Sequence, residues 1–213
     1  MTQTDAKSRW SPADTSVDTD PQSPFWRDAP AIVMDRDTYG KQIPTHRTTV
    51  LSRWTAQNLY FLFVCPYVEL YLKPNPKTDI ETNELWNWDV AEIFIGADFQ
   101  NIRRYREFEV SPQSEWVDLD IDRDRPRPED GWVWNSGCTA AAHIDPAAKT
   151  WFAFLRIPYA SIDTRPAAAG NKLRANFYRC EGDGPGRVYL TWQPTMSASF
   201  HVPEKFGELT LVR

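Results

Sequence analysis

From Arg47 to the C-terminus the chain is a succession of short runs in which apolar and polar residues change places every second position. A period of two sends successive side chains to opposite faces of an extended strand, whereas a helix needs apolar residues three and four apart. The run Val117-Asp118-Leu119-Asp120-Ile121-Asp122 alternates without a break, and no stretch keeps a helical period for long. Strands are predicted at 48–54, 59–65, 90–97, 105–111, 115–122, 138–144, 150–157, 172–180, 187–192 and 207–212. Thr55-Ala56-Gln57-Asn58 suits a hairpin between the first two. Prolines and Asp/Gly clusters, notably at 123–131 and 181–186, separate later runs. Many short half-buried strands indicate an all-β chain, an antiparallel sandwich or barrel.

Residues 1–24 are rich in Thr, Ser, Asp, Gln and Pro and read as an irregular N-terminal arm. Trp10 and the Phe25-Trp26 pair read as anchors laid across the domain. A chain of 213 residues fits one medium domain, able to bury a core without staples. The net charge of -5 argues against a nucleic-acid surface, which needs a clustered positive field. The small knot Arg103, Arg104 and Arg106 reads as a solvated hairpin end. Cys65, Cys138 and Cys180 are too scattered for a closed disulfide set and read as buried free thiols. No apolar span or leader-like segment stands out, so no membrane partner is expected. As written the chain reads as cytoplasmic; a protein whose leader had been removed, and so extracytoplasmic, would look the same.

The stretch Asn83-Glu84-Leu85-Trp86-Asn87-Trp88-Asp89-Val90-Ala91-Glu92 sets two tryptophans and several carboxylates before an apolar strand. Trp86 sits at a strand entrance, where its ring can project outward or cap the core. Glu92 shares a face with Phe94, opposite Ile93 and Ile95. A carboxylate inside an apolar strand is costly to bury unpaired, so Glu92 is either a ligand contact or half of an internal pair with an arginine such as Arg179. Asp89 reads as a turn or loop holder. The series Asp118, Asp120, Asp122 and Asp124 fails as a calcium loop: Arg123 stands where an EF-hand needs glycine. It reads instead as the solvated face of a strand. His46, His143 and His201 lack zinc-site spacing, and no nucleophile elbow, phosphate loop or dinucleotide fingerprint is present.

Several of these segments together resemble the family 9 carbohydrate-binding modules and their stand-alone relatives. The likeness rests on Trp86 to Ile95, on Thr191-Trp192-Gln193-Pro194-Thr195, and on the closing stretch Ser199 to Leu209. Trp26, the 51–65 hairpin, Tyr105 to Pro112 and Asn176-Phe177-Tyr178-Arg179 fit in the same order, so the resemblance spans residues 25–213. It implies a jelly-roll or DOMON-like β-sandwich that binds sugars without cleaving them, as an accessory to polysaccharide breakdown. By position it implies a clamp of two aromatic rings at Trp86 and Phe200, with Glu92 and His201 hydrogen-bonding the sugar. Glu109 stands where some members carry a basic residue. Glu92, Glu109, Arg179 and His201 are expected on the floor and rim of the cleft between the rings.

The resemblance further implies a mono- or oligosaccharide partner, a monomer, no catalytic cofactor, and at most a structural calcium ion. Two other readings stay open. Glu92 and Glu109 on neighbouring strands would suit a glycan hydrolase, which needs two carboxylates about 5 to 10 Å apart. Met196 and His201 would suit the axial ligands of a haem-binding DOMON-like sandwich.

Overall fold

All ten alternating runs are strands in the computed structural model, which describes residues 5–129 and 131–213. In chain order the strands are β1 (Asp5–Trp10), β2 (Ala31–Met34), β3 (Arg36–Asp37), β4 (Thr48–Trp54), β5 (Asn58–Pro66), β6 (Val90–Gly96) and β7 (Arg104–Val110). They continue as β8 (Trp116–Asp122), β9 (Thr139–Asp145), β10 (Thr150–Pro158), β11 (Lys172–Glu181), β12 (Val188–Thr191) and β13 (Gly207–Val212). The hydrogen-bonded order is β8-β7-β6-β11-β13-β1-β4-β5-β10-β9. This ladder folds back on itself as a β-sandwich. Ile93, Phe108 and Phe177 from one half share a core with Phe61, Phe63 and Trp151 from the other. The Phe177 ring lies 5.6 Å from that of Phe61 and 6.2 Å from that of Phe63. Burying each such side chain contributes about 1.5–3 kcal/mol, and the period-two pattern makes the contributions additive along one face.

The irregular-arm reading is corrected at residues 5–10. They form β1, which runs parallel to both β13 and β4, while the other strand pairs are antiparallel. The inward residues of β1 are small, Ala6 and Ser8, so the strand carries no apolar alternation to read. Its place is fixed by the ladder, by Ser52 Oγ donating to Ser8 Oγ at 2.9 Å, and by Trp10 packed edge-on against Trp54 at 4.5 Å. Residues 11–24 contain no strand. The anchor reading of Trp26 holds: it is buried, and its indole N–H donates to the Asp18 carbonyl at 3.0 Å.

The solvated-face reading of the aspartate series is also corrected. Asp118 is fully buried and accepts from the Ser136 amide and hydroxyl. Asp120, Asp122 and Asp124 are ion-paired with Arg106, Arg104 and Arg103. The acidic run and the basic knot are therefore two sides of one cross-strand ladder, which neutralises both. Cys65, Cys138 and Cys180 are free; Cys65 and Cys180 are buried and Cys138 is half-buried. Among the described residues no helix is long and apolar enough to cross a membrane.

Candidate functional site

Register decides which side chains meet on the outer face of β6, β7, β8 and β11. Glu92 stands opposite Glu109 on one side and Tyr178 on the other. Glu107 lies opposite Phe94 and Leu119. Because side chains alternate, all six project away from the sandwich core. Over this face opens a cavity of about 470 Å³, the size range of small-molecule sites. Its floor includes Glu92, Phe94, Glu107 and Leu119, and its walls are Trp86, Trp132, Tyr189 and Phe200. Arg123 and Arg127 stand exposed at the rim.

Each aromatic wall is held by an identifiable device. Trp86 sits in the helical turn Leu85–Asn87, entered through Glu84 at φ 60°. Arg187 clamps this turn by donating to the carbonyls of Trp86, Asn87 and Trp88, and also to that of Gly182. The Arg127 guanidinium lies over the Trp86 ring, 5.3 Å from its centroid. Trp132 follows Gly131, whose φ of +78° favours glycine; an added Cβ would also come within 2.9 Å of Arg127. Phe200 stacks on Tyr178, centroids 4.1 Å apart and planes 11° from parallel. The Tyr178 hydroxyl donates to the Phe200 carbonyl at 2.9 Å and is itself met by Asn176 Nδ2 at 2.7 Å. Asp89 accepts from the amides of Gly182 and Tyr71, in keeping with its reading as a loop holder.

The floor is acidic. Glu92, Glu107 and Glu109 are essentially fully buried, and one oxygen of each lies within 4.8 Å of the others. Burial raises all three carboxyls above their ordinary range, and the charge of neighbouring glutamates raises Glu92 and Glu109 further. Glu92 accepts from the Cys180 thiol at 3.2 Å. Glu107 and Glu109 also make a side-chain hydrogen bond to each other, which raises Glu109 and lowers Glu107, while the Trp86 backbone amide lowers Glu109. His201 pairs through Nδ1 with the Tyr105 hydroxyl at 2.7 Å. Burial, then the charges of Arg123 and Arg127, lowers His201 to about 4, so the ring is neutral at pH 7.

Of the residues singled out in the sequence, Trp86, Glu92, Phe200 and His201 line this cavity together. Glu109 lies beneath the floor, 0 % exposed, and does not line it. The placement of Arg179 is corrected. It lies opposite Ala91, on the core side of β11, and is fully buried. There it pairs with Glu181 at 2.9 Å, donates to Thr48 Oγ1 at 3.0 Å, and lies over the Trp151 ring. It is therefore not the partner of Glu92 either. Met196 is 60 % exposed and lies outside the cavity that His201 lines. Sequence reasoning overlooked Glu107, although it shares parity with Glu109 on β7, and it overlooked Trp132, Arg127 and Arg187 in low-pattern loops.

Residues 123–211 match the model of carbohydrate-binding family 9. That segment holds β9 to β13 together with Trp132, Arg187, Phe200 and His201 of the site. Over that segment the chain is similar to carbohydrate-binding family 9. Its sandwich is similar over 97 % of the chain to a Bacteroides uniformis protein described as a candidate carbohydrate-binding protein, which is covered over 98 %, with TM-score 0.75 and 14 % identity. It is also similar to a family 9 carbohydrate-binding module of Caldicellulosiruptor kristjanssonii, solved with cellotriose: TM-score 0.69 and 14 % identity, covering 98 % of this chain and 93 % of that one. The chain is also 24 % identical over 197 residues to an extracellular protein of Arthroderma benhamiae, covering 85 % of this chain and 86 % of the relative.

Proposed function

We propose that the cavity on the outer sheet face binds a mono- or oligosaccharide without cleaving it, in a role accessory to polysaccharide breakdown. The observation that carries this reading is the cavity itself: aromatic walls over a polar floor, in a volume that suits a small ligand. A pyranose has apolar C–H faces and an edge of hydroxyls. Trp86 and Phe200 supply ring surface for the faces. Glu92, Glu107 and neutral His201 supply hydrogen-bonding groups for the edge. Phe200 is held against Tyr178 by stacking, with Tyr189 set at 78° to it and 5.9 Å away. The family 9 module crystallised with cellotriose, and with glucose in a second structure, supports starting with β-glucans.

The hydrolase pair expected from the sequence, Glu92 and Glu109, does not meet in the cavity, because Glu109 does not line it. Titration calorimetry against glucose, cellotriose and a panel of other oligosaccharides tests the binding reading. Saturable binding is expected for at least one sugar and a loss of about tenfold or more in Trp86→Ala, since buried aromatic anchors are worth about 2 kcal/mol. No heat with any sugar, or binding indifferent to Trp86→Ala, would contradict the reading. Release of reducing sugar that vanishes in Glu92→Gln would replace it with a hydrolase.

A further inference from the structure

Three carboxylates crowd together below the cavity, and among the described residues no basic side chain pairs with them. Among the described residues no ion pair reaches Glu92, Glu107 or Glu109. The nearby arginines are engaged elsewhere. Arg187 is spent on four backbone carbonyls, Arg127 lies over Trp86, and Arg179 is on the far side of the sheet with Glu181. Glu107 Oε2 and both carboxylate oxygens of Glu109 are buried and receive no side-chain hydrogen bond from outside the cluster, their one side-chain contact being the one Glu107 and Glu109 make with each other. Several other buried acids meet a base: Glu115 faces Lys73, Glu181 faces Arg179 and His46, and Asp163 faces Arg165. An uncompensated buried charge costs several kcal/mol, so three orphaned acids side by side point to something external that answers them.

We infer that Glu92, Glu107 and Glu109 bind one divalent cation of calcium's size and hardness at the floor of the cavity. The donor set is oxygen only, which selects calcium, magnesium or manganese over softer metals. Calcium bonds run about 2.3–2.6 Å, so oxygens on opposite sides of the ion stand about 4.8 Å apart. The glutamate oxygens, all within 4.8 Å of one another, can close on such an ion without moving a strand. Magnesium, with bonds of about 2.0–2.1 Å in strict octahedral geometry, would require the set to draw in. Glu92 and Glu109 are opposed in a hydrogen-bonded ladder, and this holds two donors at fixed spacing before the ion arrives. Glu92 and Glu107 line the cavity, so the ion has an entry path and room for water on that side. The site is separate from the aspartate series of β8, in which Asp120 and Asp122 face arginines and Asp118 accepts from Ser136.

The test uses the full chain, stripped with chelator, titrated with calcium by calorimetry and with terbium by tryptophan-sensitised luminescence, Trp86 being the near donor. The expected result is one saturable ion per chain, a calcium-dependent rise in Tm, and loss of both in Glu107→Gln and in Glu109→Gln. Each glutamine variant removes a buried negative charge, so it is expected to fold without calcium. Absence of saturable binding would overturn the proposal in favour of shared protons, and so would binding that survives both variants. Backbone amide shifts in the unaltered chain give a second readout that needs no variant. Calcium-induced shifts centred on residues 90–94 and 105–110 support the site, and shifts centred on 118–124 overturn it. All of these measurements omit sugar, so they stand or fall apart from the saccharide reading.

Discussion

The two faces of β11 and its neighbours each bury an acidic group, and they treat it in opposite ways. On the core side, Glu181 is met by Arg179 at 2.9 Å and by His46 at 2.8 Å, and Arg179 is further held by Thr48 and Trp151. On the outer side, Glu92, Glu107 and Glu109 share no basic partner, and three of their oxygens receive no side-chain hydrogen bond from outside the cluster. Burial is similar in the two places. The difference is compensation: a paired buried charge belongs to the fold, whereas an unpaired cluster under a cavity is set up for something from outside.

That contrast breaks first at Arg179. Replacing it with alanine leaves Glu181 and its surroundings uncompensated, and a loss of about 3–5 kcal/mol in denaturant unfolding is expected. The fraction that remains folded should bind sugar as before, because Arg179 does not reach the cavity. Lost affinity in folded Arg179→Ala would mean that the two faces are coupled.

Arg187 sharpens the comparison from the other side. Its charge holds a turn rather than an acid, so Arg187→Ala should cost only about 1 kcal/mol of stability, in line with hydrogen bonds that are partly replaced by water. Because the turn carries Trp86, saccharide affinity should fall together with it. A variant that unfolds earlier yet binds at full strength would show that Trp86 keeps its place without the clamp.

The mildest probe is pH, read in chelator above about pH 7.5, where about nine-tenths of unfolded-state histidine is already neutral. The three glutamates have folded values raised above the ordinary carboxylate range. Over this interval the unfolded chain has already released their protons while the folded chain still holds some. Stability should therefore fall as pH rises, by about 1.4 kcal/mol for each whole unit of difference in pKa expressed. Glu107→Gln should flatten the slope, whereas Arg179→Ala should leave that part of it in place. A stability curve flat from about pH 7.5 to about 9 in the unaltered chain would contradict uncompensated burial of the cluster.

The fold was largely legible because burial on one face writes itself into every second residue. Val117, Leu119 and Ile121 mark β8 in this way, as Phe108 and Val110 mark β7. β1 was not legible, since Ala6 and Ser8 face inward without apolar bulk and the strand is held by parallel neighbours distant in sequence. The site was half legible. Parity alone placed Glu92 with Phe94 and away from Ile93. It could not place Arg179 relative to Glu92, because the face shared by two strands depends on their pairing register, which no local pattern records. Trp132 and Arg187 lie in loops where neither period applies, and their roles emerge only from Gly131, the Trp86 turn and the strands that bring them together.

The tryptophan indole N–H resonances give the most direct test of an outer-face saccharide site. The chain has ten tryptophans, distributed over both faces. Trp86 and Trp132 line the cavity, while Trp151 and Trp54 are buried in the core. In a nitrogen-resolved spectrum titrated with the sugar that binds best by calorimetry, the Trp86 and Trp132 signals should move in step with saturation, and those of Trp151 and Trp54 should stay in place. Saturation that leaves Trp86 and Trp132 unmoved while other tryptophans shift would contradict an outer-face site.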